Sequence, residues 1–456
     1  MTNQTEFKEQ GGIATMDPSW LRRWIISKLM TRLSDEHQML KKRVKAEQIR
    51  AKKNAPHIVE YFHQVDDGYS HLAVQTLRQL STRYEIELRV HLVTGPAGQN
   101  VAEPELLDQI GLNDAKAIAP FHKLSFPDVN SLPSDENIAL AIQTLANLTV
   151  EQFISHAADV SLVMWEDNKP TLQELSEQLG TVELSIAEQK LAKGNARRQE
   201  LKHYSGAMFY YGGEWYWGVD RLYHLEQRLR ELCLDSNPEM PDSYPRQSIS
   251  ITKSDANKSL TLEIYASLRS PYTAIAFDRA VKLANDSGVN YTVKPVLPMV
   301  MRGVPATKEK GFYILFDTGR EARAAGVPYG IVSDPIGEPA RNGYKLYFWA
   351  KQYDKGTEFF SNFLSAAFAE GINTNKPSGL KSIVEKTGLD WDEAQKQLSN
   401  DQWQDELESN RLKMYESGIW GVPSFRLLDS DGQELCAVWG QDRLWLVAET
   451  IKSHQA

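Results

Sequence analysis

SLRSPYTAIAFDRAV, residues 267–281, follows the apolar run LTLEIYA that starts at Leu260. The pattern predicts a strand, a tight turn, and a helix that opens at Ser270-Pro271. Serine at an N-cap and proline at the first helical position are ordinary helix-start chemistry. A strand feeding a helix through such a turn is also where α/β proteins put anion-binding or reactive groups. Two roles are therefore open to Ser270, a cap or a chemical group.

The same pattern occurs twice. EYFHQVDDGYSHLAVQTL from Glu60 aligns without gaps with EIYASLRSPYTAIAFDRA from Glu263, matching Glu60 to Glu263, Tyr69 to Tyr272 and Ala73 to Ala276. Each copy continues into an amphipathic helix and a second strand, ELRVHLV from Glu87 and VNYTVKPVL from Val289. Near the end of each half, Trp217-Gly218-Val219-Asp220-Arg221-Leu222 matches Trp439-Gly440-Gln441-Asp442-Arg443-Leu444 and runs into a last helix. Between the halves, DSNPEMPDSYP (Asp235–Pro245) carries three prolines among polar residues and reads as a linker. The spacing is far too long for a solenoid and indicates a duplicated domain. In the second half a long helical region follows, then SFRLLDS and ELCAVWG joined at Asp431-Gly432, a hairpin signal. Each half thus reads β-α-β, helical insert, β-β-α. The first two strands should be parallel and the hairpin antiparallel. The expected division is an N-terminal extension (1–54), a first domain (55–234), a linker (235–250) and a second domain (251–456).

Composition narrows the function classes. A chain of 456 residues with net charge −9 gives no support for nucleic-acid binding by its main body. No run approaches the roughly 18 apolar residues of a membrane span, and no secretory signal is legible. The two cysteines, Cys233 and Cys436, form neither C-x-x-C nor metal-ligand spacing. That argues for a reducing, cytoplasmic setting and against structural zinc. Charge is uneven: Met16 to Lys53 holds eleven Lys/Arg against four Asp/Glu. Trp20, Leu21, Trp24, Ile25, Leu29, Met30 and Leu33 fall near one face of a basic amphipathic helix. Such a helix either packs on the body or a second subunit, or lies on an anionic membrane surface at the inner face.

The order of elements is that of a thioredoxin-like fold with a helical insertion. Residues 255–452 resemble the DsbA-like branch that holds kappa-class glutathione transferases and 2-hydroxychromene-2-carboxylate isomerases. The motifs are Ser270-Pro271-Tyr272, Lys310-Gly311, Gly421-Val422-Pro423 and WGQDRL from Trp439. The resemblance implies that Ser270 replaces the cysteine of a disulfide oxidoreductase and stabilises the thiolate of bound glutathione. It implies a cis-proline at Pro423 that turns the Val422 backbone toward a peptide-like ligand. It further implies that Asp442, beside Gln441, receives the γ-glutamyl ammonium, and that Lys310 meets a carboxylate or the substrate. Bland readings stand beside these: Ser270 as a cap only, Asp442 as a cap of the last helix, Lys310 as a solvated member of a charged run, Tyr272 and Trp439 as core aromatics.

Two departures matter. The asparagine-lysine-proline-proline stretch that precedes the family's lysine is replaced by RGVPATKEKG from Arg302, and Arg302 is a candidate substitute contact. In the first half Asp67-Gly68 stands where Ser270-Pro271 does, and no proline precedes the hairpin in GAMFYYGGEWYWG. An acidic group would repel a sulfur anion, so this half reads as a degenerate copy. Its aromatic run, Phe209, Tyr210, Tyr211, Trp215, Tyr216 and Trp217, is either a binding surface or a packed hairpin. The expected function is a glutathione-dependent transferase or isomerase acting on an electrophilic small molecule, without metal. The alternative is a non-catalytic module that binds a peptide or partner. Disulfide exchange is disfavoured because no cysteine occupies either active-site position.

Overall fold

A computed structural model describes residues 17–251, 259–304, 306–400 and 403–454; residues 1–16 of the N-terminal extension lie outside them. The chain forms two compact units. One is residues 40–247; the other combines residues up to Met39 with those from Ser248 onward.

The first unit contains strands β1 (Ile58–Gln64), β2 (Glu87–Val93), β3 (Met208–Tyr211) and β4 (Glu214–Trp217) in the order β2-β1-β3-β4. The second contains β5 (Thr261–Ala266), β6 (Asn290–Pro295), β7 (Ser424–Leu428) and β8 (Glu434–Trp439) in the order β6-β5-β7-β8. In each sheet the first two strands pair in parallel and the other pairings are antiparallel. Parallel pairing follows from the crossover helix; the antiparallel hairpins need only short turns. The chain therefore consists of two thioredoxin-like domains of mixed α/β architecture.

The registers coincide as well. Ile58 faces Glu87 and Thr261 faces Asn290, positions related by the offset that aligns Glu60 with Glu263. Glu60 faces Tyr210 across β3, and Glu263 faces Arg426 across β7. Gly218 N–H donates to Ala207 O at 2.7 Å, and Gly440 N–H donates to Pro423 O at 3.0 Å.

The crossover helices differ. In the second domain Pro271–Ser287 is continuous and ends on Gly288 in the left-handed region, a glycine C-cap. In the first, Gly68–Val74 and Leu77–Arg83 are separate, and Thr76 Oγ1 donates back to Ala73 O at 2.6 Å where the break falls. The aromatic hairpin of the first domain is a packed one: Phe209 and Tyr216 are fully buried, and Tyr211 and Trp215 nearly so. The proline-rich segment after Asp235 is strapped to the first domain. Arg83 pairs with Asp235 at 2.8 Å and donates to Pro241 O and Met240 O, while Glu226 accepts from Ser243 N and Tyr244 N.

The helix Trp20–Ser34 packs on the helix Lys308–Ala325 of the second domain. It docks through polar groups. Asp334 N–H donates to Ser27 Oγ at 3.0 Å, Val332 N–H to Thr31 Oγ1 at 3.0 Å, and buried Arg23 donates to Asp334 O and Ile336 O. Gly319 sits under the end of this helix, where a Cβ would lie 2.9 Å from Ser34 O, so a side chain there would push the helix away. No helix among the described residues is long and apolar enough to cross a membrane.

Candidate active site

Ser270 leaves the carboxyl end of β5, which the parallel register sets beside the end of β6. Its loop is pinned from below by buried Tyr344. The Tyr344 hydroxyl accepts from Leu268 N–H at 3.1 Å and donates to Val296 O at 2.9 Å. Next to Ser270, Arg269 forms a two-pronged pair with buried Asp334 at 2.9 and 3.0 Å. Asp334 is also the residue held by Ser27 and Arg23, so the N-terminal helix buttresses the loop that carries Ser270.

Ser270 is the N-cap of Pro271–Ser287, and its Oγ accepts from Thr273 N–H at 3.1 Å. The same hydroxyl donates to Val422 O, also at 3.1 Å. The Val422–Pro423 peptide is cis. The SPY and GVP motifs, 152 residues apart, therefore meet through one hydrogen bond.

Lys310 belongs to the helix that begins at Lys308, capped by Thr307 through Lys310 N–H at 3.3 Å. It is half-buried, and its ammonium lies 5.6 Å from the ring centre of Trp420, two residues before Val422. Burial holds its pKa below the ordinary lysine value. Lys310 is thus a desolvated cation beside the cis-proline loop and not a solvated member of a charged run. Trp420 in turn meets Trp439 edge-on at 5.6 Å. Gly421, with φ of 82°, lets the loop pass this indole, since a Cβ would lie 2.8 Å from Trp439 Nε1.

The end of the WGQDRL motif lies differently. Gln441 is buried; its amide accepts from Arg279 Nη1 at 3.1 Å and donates to Glu321 Oε2 at 2.8 Å. Both ends of that side chain are hydrogen-bonded within the domain, which fixes its orientation. Asp442 is about a quarter exposed, and the last helix, Leu444–Ser453, takes Arg443 and not Asp442 as its N-cap residue. Arg302 ends the short turn Met299–Arg302 after β6 and keeps two buried guanidinium nitrogens, Nε and Nη1, without a hydrogen-bond partner. Such donors are costly to leave unsatisfied, and an anion would satisfy them.

Two contributors escaped sequence reading. Trp420 is one; its place directly before the GVP motif was the available signal. Asp317 is the other. Tyr272 donates to Asp317 Oδ2 at 2.7 Å, and fully buried Asp317 is paired with Arg320 at 2.6 Å. The first domain has the matching bond, Tyr69 to Asp114 at 2.8 Å, with the same separation of 45 residues. Continuing the gapless alignment would have found it.

In the first domain Asp67 holds the position of Ser270. It is the N-cap of Gly68–Val74 and accepts from Ser70 N–H at 2.9 Å and Ser70 Oγ–H at 2.8 Å. Burial pushes its carboxyl up to about 6. By the strand registers Ala207 occupies the place of Pro423, with φ of 53°, and the gapless alignment extended from Glu60 and Glu263 sets Leu107 against Lys310. The cysteines lie away from both helix starts: Cys233 is exposed, and Cys436 lies in β8, where burial pushes its thiol up to about 11. Among the described residues no cluster of His, Cys, Asp and Glu is arranged to hold a metal ion.

A small cleft of about 90 Å³ lies along the helix that Ser270 caps, lined by Ala274, Phe277 and Asp278 together with Val327, Leu364 and Phe368. Ala274 is one turn beyond Ser270, on the same face.

Residues 261–452 match the family model described as a DSBA-like thioredoxin domain. No curated protein matches the chain. Among solved structures, 2-hydroxychromene-2-carboxylate isomerase is 21% identical over 43% of this chain and 96% of its own, with a TM-score of 0.36. The cytosolic disulfide reductase DsbM of Pseudomonas aeruginosa is 17% identical over 43% of this chain and 100% of its own, at 0.35. A probable DsbA oxidoreductase of Streptomyces coelicolor is 17% identical over 43% and 92%, at 0.34. The second half of this chain, residues 261–452, is a DSBA-like thioredoxin domain.

Proposed function

We propose that the second domain binds glutathione or a related small thiol and presents its thiolate to an electrophilic small molecule, as a transferase or isomerase. The observation that carries this reading is the Ser270 hydroxyl, held between a helix N-terminus and the carbonyl of a cis peptide. A hydroxyl has one proton and two lone pairs. In the free site the proton goes to Val422 O and a lone pair accepts from Thr273 N–H. An incoming thiolate competes with Val422 O for that proton. A hydrogen bond to a charged acceptor contributes about 1.5–3 kcal/mol against about 1 for a neutral one, so the proton swings to sulfur. The Val422 carbonyl is then released to accept an N–H from the ligand's peptide backbone. The positive end of the helix adds to thiolate stabilisation.

Lys310 and Arg302 supply the cationic side for a ligand carboxylate, and Asp442 supplies an acceptor for an ammonium group. On this reading the domain works as the kappa-class transferase and chromene-carboxylate isomerase branch does, in a cytoplasmic, thiol-rich setting. The matched registers, the shared Tyr-Asp bond and the matched Gly-to-loop bond support a tandem duplication, in which residues 55–234 are a copy that lost the thiol site.

The test is the ultraviolet absorbance of the thiolate in a pH titration of bound glutathione. The thiol is expected to titrate at least one unit below its free value near 8.5, and Ser270→Ala to bring the two together. A bound thiol with an unshifted pKa, or a shift that survives Ser270→Ala, would remove Ser270 from the chemistry. Binding of extended peptides with no thiol effect would favour the non-catalytic module.

A further inference from the structure

The N-terminal helix docks through polar side chains and leaves large apolar ones in solvent. The residues turned toward the second domain are Arg23, Ser27, Met30, Thr31 and Ser34, mostly polar and hydrogen-bonded. The stripe turned to solvent is Leu21, Trp24, Ile25, Lys28, Leu29 and Arg32, spaced i, i+3, i+4, i+7, i+8, i+11. Trp20 is 76% exposed, Trp24 56% and Ile25 52%. Of the sixteen large apolar side chains exposed among the described residues, five lie on these 15 residues. Soluble proteins scatter such groups singly; a contiguous set marks a contact surface.

The charge on that face selects the occupant. Arg22, Lys28 and Arg32 are exposed on the helix, which contains no Asp or Glu, and the remaining cation, Arg23, faces inward toward Asp17 at 3.6 Å. A second copy of the same face would set three cations against three cations. An anionic bilayer takes both features at once: the indoles and aliphatic chains enter the headgroup boundary, and the cations meet lipid phosphates. We propose that this helix seats the second domain on the surface of an anionic membrane, lying in the interface and not crossing it. This is independent of whether Ser270 binds a thiol.

The experiment is sedimentation of the full chain with vesicles of pure phosphatidylcholine or of phosphatidylcholine with phosphatidylglycerol, at low and high salt. The wild type is expected to partition onto the anionic vesicles, weakly onto neutral ones, and to be released by salt. Lys28→Glu with Arg32→Glu should weaken anionic binding by roughly 25-fold or more, at about 1 kcal/mol per cation removed. Leu21→Ser with Trp24→Ser should weaken it on every vesicle. All four side chains point to solvent, so unchanged thermal melting is the control for folding. The proposal is overturned by absence of partition onto anionic vesicles, by equal binding to neutral ones, or by variants that bind like the wild type. Self-association in sedimentation velocity that Trp24→Ser abolishes, without vesicle binding, would give the face to a second copy instead.

Discussion

The two domains share a skeleton and differ where chemistry would occur. Strand order, register, the Tyr-Asp bond and the glycine-to-loop bond coincide. At the helix start, however, one carries a carboxyl and the other a hydroxyl; at the facing loop one carries Ala207 and the other a cis-proline. The scaffold interactions are present in both domains because each needs them to fold. The hydroxyl, the cation and the cis peptide occur together in one copy only. That difference separates what folding requires from what a site requires.

The largest effect should come from a scaffold bond that the two copies satisfy unequally. Asp317 is fully buried and paired with Arg320, whereas Asp114 is only half-buried. Asp317→Ala breaks a buried ion pair and should cost about 3–5 kcal/mol of second-domain stability. Asp114→Ala loses the bond from Tyr69 at a half-buried site and should cost about 1 kcal/mol in the first. Denaturant unfolding of each variant measures this; equal losses would show that the copies are not differently buttressed.

Next, Lys310→Leu installs the first domain's residue and removes the cation beside Trp420. Glutathione affinity should fall about tenfold, which corresponds to ~1.4 kcal/mol. Unchanged affinity would return Lys310 to the scaffold. A smaller effect concerns the first domain. The Asp67 carboxyl is raised to about 6 from an ordinary value of 3.8. Between these values the native state binds more protons than the unfolded one, so stability falls as pH rises from about 4 to about 6. Asp67→Asn keeps an acceptor for the cap and should flatten that slope in thermal melts. An unaltered slope would locate the titration elsewhere.

Much of the fold was legible because it is written twice. Glu60 and Glu263, the Ser270-Pro271 helix start, the Asp431-Gly432 turn and the WGQDRL motif each mark a local structure with a definite geometry. The meeting of Ser270 with Val422 was legible only through the family resemblance, since no local rule brings positions 152 residues apart together. For Lys310 two readings stayed open, ligand contact or solvated charge run, because its neighbour Trp420 is a tertiary one. The helix Trp20–Ser34 was read as amphipathic; its apolar side chains are instead spread around it, Trp20, Trp24 and Ile25 exposed and Met30 buried. Which face turns inward was not legible, because the polar acceptors it meets, around Val332 and Asp334, lie more than 300 residues away.

The central claim is that the Ser270 hydroxyl is a thiolate site as well as a helix cap. Calorimetric titration of the purified full chain with glutathione, compared with Ser270→Ala, tests it most directly. Saturable binding that weakens at least about tenfold in the variant is the expected result, the loss of one hydrogen bond to a charged acceptor. No saturable binding, or equal binding by the variant, would leave Ser270 as a cap alone.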